Sequence, residues 1–310
     1  MSFSSDTKLE IIKNEINKKC CAIAELLAIV CFGGALVKTE TGYSLQINTE
    51  NAKIARRIYN LIKFIFNINA NINVYKKTVK TTGYSVLVDD DLHIKEILNT
   101  LKLLDTEDSL NSFLSFKIYD GILDRVCCKK SFVRGAFLMS GSLSNPEKNY
   151  HLEFVTHRFN ISNDFIKILT DMDLVPKTII RKSNYVLYFK NSEMISDVLT
   201  ILGAVNAVWE IQNIKIVKEI RNNSNRVYNF EDANMNKTID ASTKQRMCIE
   251  KINEAGKMDE LPPLLKEIAL LRLENSECSL KELGEMLTPP ISKSGVNHRL
   301  RKLQNFADKI

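Results

Sequence analysis

The chain has 310 residues, 45% hydrophobic and 26% charged content, and a net charge of +6. That balance describes a globular protein with a full core and room for two or three domains. The charge permits contact with nucleic acid without demanding it. The N-terminal segment, MSFSSDTKLEIIKNEINKKC, has no apolar signal core. The longest apolar run, Leu26 to Val37, has twelve residues and is too short to span a bilayer. The expected location is the cytoplasm, with no membrane partner.

Seven cysteines, an odd number without a C-x-x-C pair, argue against a disulfide framework. Two adjacent pairs, Cys20–Cys21 and Cys127–Cys128, raise the question of a shared metal. Zinc-ligand spacing is absent, so small buried thiols are the preferred reading and no metal is expected.

The pairs also mark a repeat. CCAIAELLAIVCFGGAL from Cys20 matches CCKKSFVRGAFLMSGSL from Cys127 at an offset of 107 residues, which also relates Gly34 to Gly141 and Leu45 to Leu152. The first copy, residues 20–105, starts with an apolar helix ending near Gly33–Gly34. A strand, YSLQIN, follows, with Tyr43, Leu45 and Ile47 alternating. A helix from about Glu50 carries Ile54, Ile58, Leu61 and Ile65 at helical spacing. A hairpin, INVYKKTVKTTGYSVLV, and a helix over Leu92–Leu104 complete the copy. The second copy, residues 127–220, runs through SFVRGAFLMSG, YHLEFVT, a helix over Ser162–Met172, the hairpin KTIIRKSNYVLYF and the helix SEMISDVLTILGA. Two copies of α-β-α-β-β-α, with room for a further short strand, predict one pseudo-two-fold α+β domain over residues 1–220.

Glycine at the ends of both first helices, with Gly135 inside the second, suits close packing of two backbones at the axis; Gly33, Gly34, Gly135 and Gly141 are the candidate packing residues. This pattern resembles the LAGLIDADG homing endonucleases. The resemblance implies an acid just before the final glycine of each motif, where two carboxylates hold divalent metal beside the scissile phosphates. In LLAIVCFGG that position is Gly33; in VRGAFLMSG it is Ser140. Neither is a charged ligand. Glu25 lies eight residues earlier, about two helical turns away. No catalytic residue and no endonuclease activity are expected. The hairpins carry Lys76, Lys77, Lys80, Lys177, Arg181, Lys182 and Lys190. Three readings stand for that surface: a basic saddle on DNA, a solvated sheet face (the preferred one), or a docking surface for a transcription partner. Residues 1–220 carry only +4, from 28 basic and 24 acidic residues.

RNNSNRVYNFEDANMNK, from Arg221, reads as a linker over 221–231 that runs into a helix. From Asp232 to Ile310 the pattern is all-helical. Ile239, Met247, Ile249 and Ile252 form an expected apolar face, and Gly256 ends that helix. Pro262 and Pro263 open the next. Ser279 and Glu282 match a capping box, Leu280, Leu283 and Leu287 share a face, and TPPISK breaks the helix. Ser292 then caps a last helix. Val296, Leu300 and Leu303 form its inward stripe, and residues 293–310 carry five basic groups against one acid. Helix, break and basic helix predict a helix-turn-helix. Ser292, Lys293, Ser294, Asn297, His298, Arg299, Arg301 and Lys302 are the candidate DNA contacts. Lys293, Ser294, Asn297 and His298 are assigned to bases; Arg299, Arg301 and Lys302 to phosphates. No His pair has metal spacing, and neither a G-x-S-x-G elbow nor a phosphate-binding G-x-x-x-x-G-K-[ST] loop occurs.

A degenerate LAGLIDADG-like domain followed by a helix-turn-helix is the architecture of the WhiA family. RGAFLMSGSLSNPEKNYHLEF from Arg134, NRVYNFEDANMNKTIDAS from Asn225 and SLKELGEMLTPPISKSGVNHRLRKL from Ser279 resemble that family. The resemblance implies a nucleoid-associated protein of Gram-positive bacteria that binds double-stranded DNA, without a cofactor, in cell division, chromosome segregation and sporulation. It leaves two outputs open: a sequence-specific transcription regulator, or a division and segregation factor acting mainly through protein partners such as another regulator. A residual homing-type endonuclease ranks last. A monomer is the preferred oligomeric state.

Overall fold

The computed structural model of the chain describes residues 2–40, 42–76, 78, 81–104 and 116–310. The chain divides into two compact units, Met1–Val217 and Lys218–Ile310.

The first unit begins with α1 (Phe3–Ile12), which the sequence pattern does not announce because FSSDTKLEII has no apolar stripe. The Ser2 hydroxyl accepts the Ser5 N–H at 3.3 Å, and Thr7 and Ile11 are buried. Two copies of one motif follow. The first is α2 (Lys19–Gly33), β1 (Gly34–Thr39), β2 (Gly42–Thr49), α3 (Ala52–Phe66), β3 (Asn71–Lys76), β4 (Thr82–Val88) and α4 (Asp91–Thr100). The second is α5 (Val126–Ser140), β5 (Gly141–Leu143), β6 (Leu152–Thr156), α6 (Phe159–Thr170), β7 (Lys177–Arg181), β8 (Asn184–Phe189) and α7 (Ser192–Leu202). Both form antiparallel four-stranded sheets of one topology, β1-β2-β4-β3 and β5-β6-β8-β7. The α+β class and the paired repeat agree with the sequence pattern. The further short strand is β1 in one copy and β5 in the other.

Local chemistry sets the element ends. The Asn51 side chain accepts from the N–H groups of Lys53 and Ile54 at the start of α3, and Asn67, left-handed at φ 60°, ends it. Asn191 caps α7 in the same way, and Gly203 at φ 77° stops it. The stripe Ile54, Ile58, Leu61 and Ile65 is buried, each side chain worth about 1.5–3 kcal/mol of transfer free energy.

At the centre, α2 and α5 lie parallel. Ala22 and Ala24 to Cys31 are buried in one helix, and Ser131 to Val133 and Gly135 to Leu138 in the other. Gly135 makes this approach possible: a Cβ there would run into the Glu25 carbonyl oxygen and stand 2.9 Å from the Ala28 Cβ.

The second unit is helical. α8 (Val205–Glu254) starts in the first unit and continues into the second, followed by α9 (Pro263–Glu274), α10 (Leu280–Glu285) and α11 (Lys293–Ala307). The irregular linker expected at 221–231 is instead helical. From Glu219 to Ala241 every position is exposed, so no core face imposes the apolar period that would have announced a helix. The expected apolar face also narrows: Ile249 and Ile252 are buried, but Ile239 and Met247 are 54% and 63% exposed. Ser242 and Gln245 take the inner positions, with the Ser242 hydroxyl donating to the Ser276 carbonyl. Gly256 follows the helix end at φ 69°. Among the described residues no helix is long and apolar enough to cross a membrane.

Candidate nucleic-acid interface

The paired ends of α2 and α5 are where a LAGLIDADG nuclease places its acids. Here a Cβ on Gly33 would collide with the Met139 side chain, so a thioether fills that space. The Ser140 hydroxyl donates to the Ala136 carbonyl at 2.8 Å, an internal helix bond that commits its proton. Arg158 closes the end of α2 from the start of α6. Its guanidinium donates to the carbonyls of Val30 at 3.4 Å, Cys31, and Gly34 at 2.7 Å, and stacks 3.4 Å from the Phe116 ring centroid. A cation at a helix C-terminus satisfies carbonyls and the dipole together. In the first repeat the corresponding N-cap is Asn51, so sequence symmetry hides this role of Arg158.

Glu25 is fully buried and already committed. Arg57 pairs with it at 2.5 Å and 3.1 Å, and Arg134 at 3.7 Å. Arg57 also donates to the carbonyls of Ile12 and Asn14, and Arg134 to that of Leu202. The carboxylate is a tie between the repeats, two turns from Gly33. These partners lie far apart in sequence and carry no local signal.

The hairpin surface is less basic than its lysines suggest. Lys76, Lys177, Lys182 and Lys190 are exposed, but Lys190 leans over the Tyr188 ring at 5.3 Å and Arg181 pairs with Glu153 at 3.4 Å. The edge strands β3 and β7 are exposed throughout and display Val74 and Ile180 at 63% and 67% exposure. Lys77 and Lys80 lie outside the described residues.

In the second unit, α9, α10 and α11 pack around Ile249, Ile252, Leu261, Ile268 and Leu283. Ser279 caps α10: its hydroxyl accepts the Glu282 N–H at 3.3 Å, and the Glu282 carboxylate accepts the Ser279 N–H at 2.7 Å. That bond holds the Glu282 carboxyl below its ordinary pKa. The break between α10 and α11 is tight because residue 284 is glycine: a Cβ would meet the Ile291 carbonyl oxygen, and the Ile291 N–H donates to the Gly284 carbonyl at 3.0 Å. Ser292 caps α11 through the Gly295 N–H at 3.3 Å. Buried Arg272 donates to Gln245 Oε1 at 2.9 Å and to the Cys278 carbonyl at 2.6 Å, binding α8 and α9 to the loop before α10.

Val296, Leu300 and Leu303 face inward, joined by Ala307. Ser292, Lys293, Ser294, His298, Arg301 and Lys302 are exposed along the outside of α11. Asn297 and Arg299 are half-buried. The structure separates Arg299 from the other cations: its guanidinium lies 3.7 Å from Glu267 on α9, with the side chain 20% exposed. Spacing alone does not show this, because α9 meets α11 only in the folded unit.

The fold and these sites define a class: a two-repeat scaffold of LAGLIDADG shape with Gly33 and Ser140 at the acid positions, followed by a helix-turn-helix unit. Three family models match, the WhiA N-terminal LAGLIDADG-like domain over residues 19–104, the WhiA LAGLIDADG-like domain over 129–221 and the WhiA C-terminal HTH domain over 224–307. A probable cell division protein WhiA of Alkaliphilus metalliredigens is 41% identical over all of this chain and 98% of its own length. One from Thermoanaerobacter sp. (strain X514) is 44% identical over the same shares. The crystal structure of full-length DUF199/WhiA from Thermatoga maritima matches at a TM-score of 0.61 and 25% identity, covering 100% of this chain and 99% of that one. The chain belongs to the WhiA family.

Proposed function

We propose that this protein is a DNA-binding regulator of cell division and chromosome segregation that reads specific DNA sites mainly through α11 and controls transcription from them, with no nuclease activity. It works at the nucleoid. The observation that carries this reading is the outer face of α11. Lys293, Ser294, His298, Arg301 and Lys302 stand exposed on a helix whose opposite side is locked into a core behind the Gly284 turn. The helix N-terminus adds positive potential for phosphate. Ser294 and His298 sit one turn apart, suited to base edges, with the half-buried Asn297 beside them; Lys293, expected at bases from the sequence, stands exposed at the helix start and is reassigned to phosphate with Arg301 and Lys302.

The absence of carboxylates at residues 33 and 140 and the commitment of Glu25 to two arginines support a non-cutting scaffold. Incubation with supercoiled plasmid and Mg²⁺ or Mn²⁺ is expected to leave the plasmid intact. Metal-dependent nicking lost on substitution at Glu25 would refute this.

A second reading, a division factor acting through protein partners, draws support from the exposed apolar edge strands β3 and β7. Genome-wide occupancy of the full chain beside a K293A/R301A/K302A variant separates the two. Sharp promoter peaks that vanish in the variant, with expression changes, support transcription control. A division phenotype unchanged in the variant supports the partner reading.

A further inference from the structure

The two cysteine pairs meet. Cys20 and Cys21 occupy the first turn of α2, Cys127 and Cys128 the first turn of α5, and the parallel packing of these helices brings all four Sγ atoms within 4.8 Å of one another. Adjacent cysteines lack the usual zinc spacing, in which each chain segment wraps the ion with a turn. Here the pseudo-two-fold replaces that device, with each helix start supplying half of a quartet.

We propose that Cys20, Cys21, Cys127 and Cys128 bind one zinc-class divalent ion in a closed tetrahedral thiolate site that pins the N-terminal ends of the two central helices together. Thiolates about 2.3 Å from zinc stand about 3.8 Å apart, so the quartet needs to contract by no more than about 1 Å. It is too compact to wrap a multi-iron cluster. Binding breaks four S–H bonds, forms four metal–sulfur bonds and releases four protons to solvent. The bound site carries two negative charges, and its surroundings suit them. Both helices start without a side-chain cap and without an acid in the first turn, so the positive ends of two dipoles lie beside the sulfurs. Arg125 adds a positive charge beside Cys20. The Ser131 hydroxyl donates to Cys21, the kind of outer contact that orients a ligand.

Cys20 and Cys127 are partly exposed, which leaves an entry path, while Cys21 and Cys128 close the site from inside.

The test uses the full chain purified under reducing conditions. Elemental analysis is expected to find about one zinc per chain. Replacement by Co²⁺ is expected to give the thiolate-to-metal charge-transfer band and the visible bands of a tetrahedral S₄ site. Both signals should fall at least tenfold in C20S/C127S and persist in C31A/C248A. If C20S/C127S does not fold, the wild-type cobalt spectrum and the resistance of the partly exposed Cys20 and Cys127 to alkylation until a chelator is added decide the question. Reduced, folded protein that takes up no Co²⁺ and leaves the quartet open to alkylation overturns the proposal. So does a Cys20–Cys128 or Cys21–Cys127 disulfide in protein isolated with thiols trapped.

Discussion

Salt dependence offers the sharpest test of how α11 meets DNA. Three cations are free on its outer side: Lys293, Arg301 and Lys302 are exposed, whereas Arg299 is held by Glu267. Each phosphate neutralised by protein contributes about −0.9 to the slope of log K against log salt. R301A is therefore expected to reduce the slope by about 0.9, and K293A/R301A/K302A by about 2.7. Between 50 and 200 mM salt each contact costs about 3.5-fold in affinity, so the three together account for roughly 40-fold. R299A is expected to leave the slope unchanged and to cost at most about 1 kcal/mol of stability, as a partly exposed ion pair does. Fluorescence anisotropy on a duplex from an occupancy peak, at four or five salt concentrations, measures all of these. If R299A changes the slope as much as R301A, or the triple variant leaves it unchanged, the division between phosphate-binding and structural cations is wrong.

Three further outcomes follow from the packing. E25A strands Arg57 and Arg134 in a buried site and should cost about 3–5 kcal/mol, which is about 6–20 °C in Tm; a loss under 1 kcal/mol in calorimetry contradicts the tie between repeats. G284V drives a side chain into the Ile291 carbonyl and is expected to abolish site-specific binding while circular dichroism shows the first unit still folded; retained binding counts against the tight turn. Lys8, partly buried beside the Phe137 ring, has its pKa lowered to about 8 by burial, with Glu50 opposing. Its unfolded state holds the proton up to about pH 10.5, so the Lys8 contribution to stability rises with pH between about 8 and 10.5. In K8M the rise should flatten and stability at pH 7 increase; a denaturant series showing equal slopes in both proteins refutes this.

Much of this architecture is written in short-range pattern. The repeat offset, the stripes of α3 and α11, and the capping residues Ser279 and Ser292 each depend on neighbours within about two turns, where sequence spacing and spatial spacing coincide. Gly33 and Ser140 are equally legible, since a missing carboxylate needs no coordinates to be noticed. The 221–231 segment misleads for the converse reason: a helix with no buried face carries no stripe.

The sequence by itself determined the two repeats, the absence of acids at their ends and a basic C-terminal helix with one apolar side. Only the tertiary structure decided which long-range partners each side chain acquires. Packing α2 beside α5 brought Cys20 and Cys21 to Cys127 and Cys128, put the Met139 side chain over Gly33, and enclosed Glu25 between Arg57 and Arg134. Packing α9 beside α11 withdrew Arg299 from the exposed cations. The reason is physical. Periodicity is set by backbone geometry within one element, while a pairing across elements depends on the angle, register and distance at which two surfaces meet.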